Sequence, residues 1–69
     1  MIEAFVLIQA DVGMASRVGQ TVSAMQGVRS SDVVTGPYDV VARVEAASID
    51  ALGSLVVSKI QAVEGIART

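Results

Sequence analysis

Hydrophobic and polar positions follow two different periods in the first 25 residues of the chain. Ile2–Gln9 alternates with a period of two and predicts a strand, and Phe5 and Leu7 make its second face apolar as well. From Gly13 to about Met25 apolar residues recur at helical spacing, and Asp11 stands where a helix-capping residue is favoured. A strand followed by a helix is therefore predicted here.

The middle of the chain predicts a hairpin. Val28–Thr35 and the segment from Tyr38 to about Glu45 both have strand character. Gly36-Pro37 between them favours a chain reversal, because glycine and proline preset turn conformations. Tyr38 and Asp39 would then be held at the start of the third strand.

The last third of the chain predicts a helix and a short strand. Ser48 is expected to cap this helix, Gly65 to end it, and Ile66–Thr69 to begin a fourth strand. Gly53 inside the helix is interpreted as a close contact with the sheet. The predicted apolar stripe consists of Ile49, Leu52, Leu55, Val56, Ile60 and Val63.

The two halves of the chain repeat one another. Ala24–Val28 and Ala62–Ile66 occupy the same helix-to-strand junction, so each half is a strand-helix-strand unit. The order β-α-β-β-α-β predicts an α+β, ferredoxin-like fold in one domain over residues 1–69. Right-handed crossovers would place both helices on one face of a four-stranded antiparallel sheet and leave the other face bare.

The bare face of this sheet is predicted to be apolar. The chain is 52% hydrophobic and 17% charged, which is more apolar surface than 69 residues hide in a monomer. We therefore expect two copies to dimerise through their open sheet faces. The candidates for this face are Phe5, Leu7, Val33 and Val41.

Composition argues against several function classes. The absence of His and Cys removes the usual general base, the best nucleophile and the common zinc ligands, so we expect no enzyme activity, catalytic residue, metal site or cofactor. The formal charge is −2 and the five basic residues are scattered, which disfavours direct nucleic-acid binding. Glu3 stands where a signal peptide carries positive charge, and no apolar run is long enough to span a bilayer, so we expect a cytoplasmic protein.

The candidate ligand site lies at the predicted hairpin. Tyr38 offers an amphipathic ring and Asp39 a carboxylate for a cationic group, both on a rigid support. Each also has a simpler explanation: Asp39 can bond the backbone of the turn, and Tyr38 can pack at a rim. Lys59 is interpreted as complementing the dipole at a helix C-terminus.

The chain resembles the C-terminal effector-binding domain of the Lrp/AsnC family of transcriptional regulators. The likeness is carried by Ile2–Ile8, by Thr35–Val41 with its Gly-x-Tyr-Asp, and by Val57–Thr69. This resemblance implies a ferredoxin-like domain that dimerises through its sheets and assembles dimers into rings, commonly octamers. It also implies that amino acids bind between neighbouring dimers.

The resemblance implies the residues of the effector site and a mode of action. The site would be lined by Thr35, Gly36, Tyr38, Asp39 and Thr69. The helix-turn-helix of the family is absent from this sequence, so a stand-alone form is expected, which would act through partners such as full-length Lrp/AsnC regulators. The family pattern continues beyond Thr69 to a second threonine.

Three functions are compatible with the sequence. The favoured one is an amino-acid-sensing regulatory module that forms homo-oligomers and acts in transcriptional regulation. An alternative is a small enzyme of the dimeric α+β barrel type, although the lack of His weakens it. The third is a structural module that only oligomerises.

Overall fold

The fold follows the predicted order of elements. A computed structural model describes all residues, 1–69. The strands are β1 (Ile2–Ala10), β2 (Val28–Val33), β3 (Val40–Ala46) and β4 (Ile66–Arg68). The helices are α1 (Ala15–Ser23) and α2 (Ile49–Ser54), and α2 continues into a π-helical segment over Leu55–Ile60.

The four strands form one antiparallel sheet in the order β2-β3-β1-β4. This is the ferredoxin-like arrangement that the sequence predicted. In the central pair, Leu7 lies opposite Val41 and Phe5 lies opposite Arg43. On the outer side, Ser31 lies opposite Ala42, after a register shift between Val28 and Ser30.

The hydrophobic core lies between one sheet face and the helices. Alternate residues of β1 and β3 are buried there, as the period of two requires. In both central strands one face is therefore packed in the core, and no helix covers the other face. The core residues are Val6, Ile8, Val18, Val22, Val40, Ala42, Val44, Leu55 and Ile60.

Helix α1 is shorter than the sequence predicted. It ends at Ser23 and not at Met25, and its N-cap residue is Met14, which makes no side-chain capping bond. Asp11 is not the cap, because its side chain makes no hydrogen bond: its carbonyl accepts the Met14 N–H at 2.9 Å and its own N–H donates to the Gly65 carbonyl at 2.7 Å. Gly27, with φ of 95°, reverses the chain after the helix as expected.

The second helix begins as predicted but departs from the expected stripe. The Ser48 hydroxyl accepts the Ala51 N–H at 3.1 Å, which confirms the N-cap. Ile49, expected on the apolar stripe, is 69% exposed. Gly53 makes no close sheet contact, because a Cβ built there meets nothing within 4 Å.

Val33 does not belong to the open sheet face. It lies opposite the buried Val40, and its Cγ2 is 3.4 Å from the position of a Cβ on Gly19. Gly19 of α1 therefore approaches β2 closely, and Val33 points to the helix side of this edge strand. The register shift in β2 changes which residues share a face, and the sequence alone did not predict that shift.

Candidate functional site

The predicted site residues lie in a loop and not on a strand. Residues 34–39 connect β2 to β3, so Tyr38 and Asp39 precede β3, where the sequence had placed them within it. Asp39 is nevertheless fixed by three hydrogen bonds. Its N–H donates to the Ile8 carbonyl at 2.9 Å, its carbonyl accepts the Val34 N–H at 2.8 Å, and its Oδ2 accepts the Ala10 N–H at 2.9 Å.

These bonds tie the hairpin loop to the end of β1. The Asp39 carboxylate does not bond the backbone of its own turn, as the simpler explanation had it: Oδ2 bonds β1, while Oδ1 makes no hydrogen bond within the chain. The half-buried Tyr38 also leaves its hydroxyl without a partner. A rigid loop thus presents one carboxylate oxygen and one phenol for further bonding.

Thr35 and Gly36 lie in the exposed part of the same loop, residues 34–37. Gly36 has φ of 143°, a backbone conformation that favours glycine. A Cβ placed there would meet nothing within 4 Å, so backbone conformation and not crowding within this chain explains the glycine.

Thr69 lies at the same end of the sheet, on the other side of β1. Arg68 pairs with Gln9, while Asp39 bonds to the residues on either side of Gln9. The Thr69 hydroxyl accepts the Gln61 side-chain N–H at 2.9 Å. The fold therefore brings the hairpin and the C-terminal strand to one end of the sheet, with β1 between them.

One chain does not enclose a site around all the predicted residues. A depression of about 300 Å³ is lined by Thr69 together with Gln61, Ile66, Ala67 and Arg68. None of the three cavities is lined by residues of the hairpin loop. A ligand held by both regions would need walls from a second chain.

Arg68 and Gln61 are site candidates that sequence reasoning missed. Arg68 makes no ion pair in the chain and lines the depression beside Thr69. The signal in the sequence is a cation directly before Thr69, but by spacing alone it does not differ from the other scattered charges. Gln61 was hidden because only the fold brings it to Thr69.

The open sheet face combines an apolar centre with paired charges. Phe5 is 71% and Leu7 44% exposed, which confirms them as residues of this face. At one end Arg43 binds Glu3 Oε1 through Nη2 at 2.6 Å and Nε at 3.0 Å. This hydrogen bond, and then the Arg43 charge, lower the pKa of Glu3 below its usual value.

A second ion pair lies beside the first. Arg29 Nη1 and Glu45 Oε1 are 2.9 Å apart, and the hydrogen bond to Glu45 raises the pKa of Arg29. Glu3 and Glu45 are direct partners in the register of β1 and β3. Each arginine therefore offsets the repulsion between two carboxylates on neighbouring strands.

No group of three or more Asp and Glu side chains comes together in a form that could hold a metal ion. None of the helices is long and apolar enough to cross a membrane.

Comparison with known proteins finds matches that agree on one family. The profile of the Lrp/AsnC ligand binding domain matches residues 3–69. An uncharacterized HTH-type transcriptional regulator of Pyrococcus furiosus is 30% identical over an alignment 69 positions long that covers 96% of this chain. The chain spans 46% of the length of that relative.

Solved structures agree with this match. The crystal structure of TTHA0845 from Thermus thermophilus has a TM-score of 0.92 and 35% identity, covering 99% of this chain and 85% of the other. The structure of AsnC from E. coli has a TM-score of 0.87 and 24% identity, covering 96% of this chain and 45% of the other, and this likeness concerns the fold alone.

Proposed function

This chain belongs to the family of Lrp/AsnC ligand binding domains, and on that premise we propose that it is an amino-acid-sensing module of transcriptional regulation. The family and the name of the Pyrococcus relative point to a regulator domain and not to an enzyme. In this proposal an effector binds at subunit interfaces, and the signal passes to protein partners such as full-length regulators of the same family.

The observation that carries the proposal is the fixed geometry of the hairpin loop. Asp39 is held by three hydrogen bonds to backbone groups and still has a carboxylate oxygen with no partner in the chain. Such an oxygen accepts a charge-assisted hydrogen bond from an ammonium group without further ordering of the loop. Tyr38 supplies a neighbouring aromatic wall, and the Gly36 backbone lets a ligand come close.

The incomplete enclosure of this site supports binding between subunits. The hairpin and the Thr69 region lie at one end of the sheet, but no cavity of the single chain contains both. The exposed Phe5 and Leu7 on the open sheet face provide the surface for a second copy. We propose a dimer through these faces and a ring of dimers, such as an octamer, that completes the site.

A screen of amino acids followed by calorimetry tests the effector site. A ligand at 100 times its dissociation constant should stabilise the fold by about 2.7 kcal/mol, which a thermal-shift screen detects. Asp39→Asn keeps an acceptor oxygen for Ala10 but removes the charge. It should weaken binding of the identified amino acid about ten- to a hundredfold, because a hydrogen bond to a charged group contributes roughly 1.5 to 3 kcal/mol.

The matched control is Glu64→Gln, which removes a charge from an exposed residue with no side-chain bond. The affinity of this variant for the identified amino acid should equal that of the wild type. Equal affinity of Asp39→Asn and wild type would overturn the direct role of Asp39. Failure of every amino acid to bind would favour a module that only oligomerises.

A further inference from the structure

A cleft of about 520 Å³ opens at the end of the sheet opposite to the hairpin loop. Ligand-binding cavities in proteins commonly have volumes of about 300 to 1,000 Å³. The cleft lies where the turn after α1, the link from β3 to α2 and the π-helical segment meet. The residues that shape it include Gln26, Gly27, Ala47, Ser54, Leu55 and Lys59.

The helical wall of the cleft is π-helical, which changes the direction of its side chains. The Gln61 N–H donates to the Val56 carbonyl at 3.0 Å, an i→i+5 bond. In an α-helix, residues five apart would point about 140° away from each other. Here Leu55 and Ile60, five apart, are both buried in the core.

The wider π-helical turn also places two residues at the cleft. Ser54 and Lys59, also five apart, both line it. Single π-helical turns are rare and are frequent at functional sites. Lys59, which the sequence assigned to the dipole at a helix C-terminus, therefore borders a cavity.

We propose that this cleft binds a small organic carboxylate with an aliphatic body. Lys59 makes no ion pair, so its ammonium is free to bind an anion. The Ser54 hydroxyl and the Gln26 amide have no partners in the chain and supply neutral donors beside it. Glu45 borders the cleft as well, but its carboxylate is engaged by Arg29 at 2.9 Å.

The remaining lining residues are apolar, which is why we propose that the ligand has an aliphatic body. Leu55 forms an apolar wall, and it packs closely on Gly27, where a Cβ would lie 3.1 Å from the Leu55 Cδ2. Ala46, Ala47 and Ala51 leave the space beside it unfilled. An anion without an apolar portion would leave this surface in water and gain less from binding.

The cleft lies apart from the hairpin loop and shares only Glu45 with the open sheet face. It is shaped by residues of α2 and the π-helical segment, so it lies on the helix side of the sheet. Dimerisation through Phe5 and Leu7 on the opposite face leaves it open. The hairpin loop is at the other end of β3, so binding at the two sites can be measured independently.

Amide chemical-shift mapping of the full oligomer with 4-methylpentanoate tests the proposal. Saturable shifts are expected at Gly27, Ala47 and Ser54. The uncharged 4-methylpentan-1-ol and the short acetate should each bind at least about tenfold more weakly, because each lacks one of the two recognised features.

Three variants complete the experiment. Lys59→Met should weaken 4-methylpentanoate binding about tenfold or more, because it removes the charged donor. Arg17→Met, which removes an exposed unpaired cation from α1, should bind as the wild type does. Ala47→Leu should also weaken binding by filling the cleft while Lys59 is intact.

Several results would overturn the proposal. These are unchanged binding by Lys59→Met, equal binding of the alcohol, shifts confined to Tyr38 and Asp39, or no saturable shift. Asp39→Asn should leave the cleft shifts unchanged, so loss of the effector site and loss of the cleft site are distinguishable.

Discussion

At the scale of single residues, Asp39 shows how one side chain can be both structural and available. Its Oδ2 accepts the Ala10 N–H, which is partly buried at the end of β1. A buried N–H without an acceptor is costly, so this bond fixes the loop to the sheet. The remaining oxygen then has a defined direction, which a freely rotating carboxylate on a mobile loop would lack.

Asp39→Ala should therefore destabilise the fold, and Asp39→Asn should do so less. Loss of the acceptor leaves the Ala10 N–H unpaired and should lower the free energy of unfolding by about 1 to 3 kcal/mol. Urea denaturation measures this difference. Asp11→Ala is the control, because the Asp11 carboxylate makes no bond and its two hydrogen bonds both involve backbone atoms that alanine keeps. A large effect at Asp11 would restore its predicted role as a helix cap.

Two glycines should respond to alanine in opposite directions. Gly65 has φ of 98°, and a Cβ there would lie 2.9 Å from Met14 Cε and 3.1 Å from Val18 Cγ2. Gly65→Ala should therefore destabilise by more than about 1 kcal/mol. Gly53 is helical, exposed and surrounded by open space, so Gly53→Ala should stabilise by about 0.5 to 1 kcal/mol. Thermal melting of both variants beside the wild type tests the pair, and destabilisation by Gly53→Ala would contradict the open space around that residue.

At the scale of elements, β1 and β3 hold the open face together through side chains as well as backbone. Leu7 and Val41 form a directly opposed apolar pair, while Glu3 and Arg43 are joined by two hydrogen bonds near one end. Cross-strand pairs of this kind stabilise a sheet individually by small amounts.

The contribution of Glu3 should depend on pH. Its pKa is lowered in the folded state, chiefly by the hydrogen bond from Arg43, relative to an ordinary value of 4.5. The stability that this carboxylate contributes is therefore present above about pH 4.5 and is lost as the pH falls through the lower folded pKa. The melting temperature of wild type should exceed that of Glu3→Gln at pH 7, and this excess should vanish at acidic pH. Glu64→Gln is the control, because it removes no ion pair: the difference in melting temperature between it and wild type should not change with pH. If the difference between wild type and Glu3→Gln also stayed constant as the pH fell, the role of Arg43 would be contradicted.

At the scale of the whole molecule, one layer of helices covers one face of the sheet. The core consists of nine buried residues on that side. Phe5 and Leu7 remain exposed on the other side, and water contact there is unfavourable for so large an apolar area. In the proposed dimer a second copy, packed sheet against sheet, would bury this area, and this is the simplest closure.

Leu7→Lys should dissociate the proposed dimer or unfold the chain, because the ammonium would be buried without a partner. Light scattering coupled to size exclusion at micromolar concentration measures the mass. Val12→Lys is the matched control, since Val12 is fully exposed in the turn before α1. A wild-type protein that is monomeric under these conditions would contradict sheet-to-sheet dimerisation, and an unchanged oligomer of Leu7→Lys would place the interface elsewhere.

The sequence by itself determined the order of elements and much of the core. Alternation along β1, the spacing of Val18 and Val22 and the Ser48 cap are local signals, and the structure confirms them. Gly27 and Gly65 do adopt the predicted left-handed conformation, but each lies in the turn beyond its helix, which ends at Ser23 or Ile60. These signals can be recognised in the sequence because strand and helix periods and turn conformations depend only on neighbouring residues. The same alternation along β1 predicted that Phe5 and Leu7 lie on the sheet face that no helix covers.

Tertiary structure alone decided the features that join distant residues. The register shift in β2 turned Val33 to the helix side, and bonds to β1 fixed Asp39 before its strand. Packing of Leu55 and Ile60 on one core favoured a π-helical turn, which moved Lys59 to a cleft. Each outcome depends on which strand or core lies alongside, and sequence spacing carries no information about those distances.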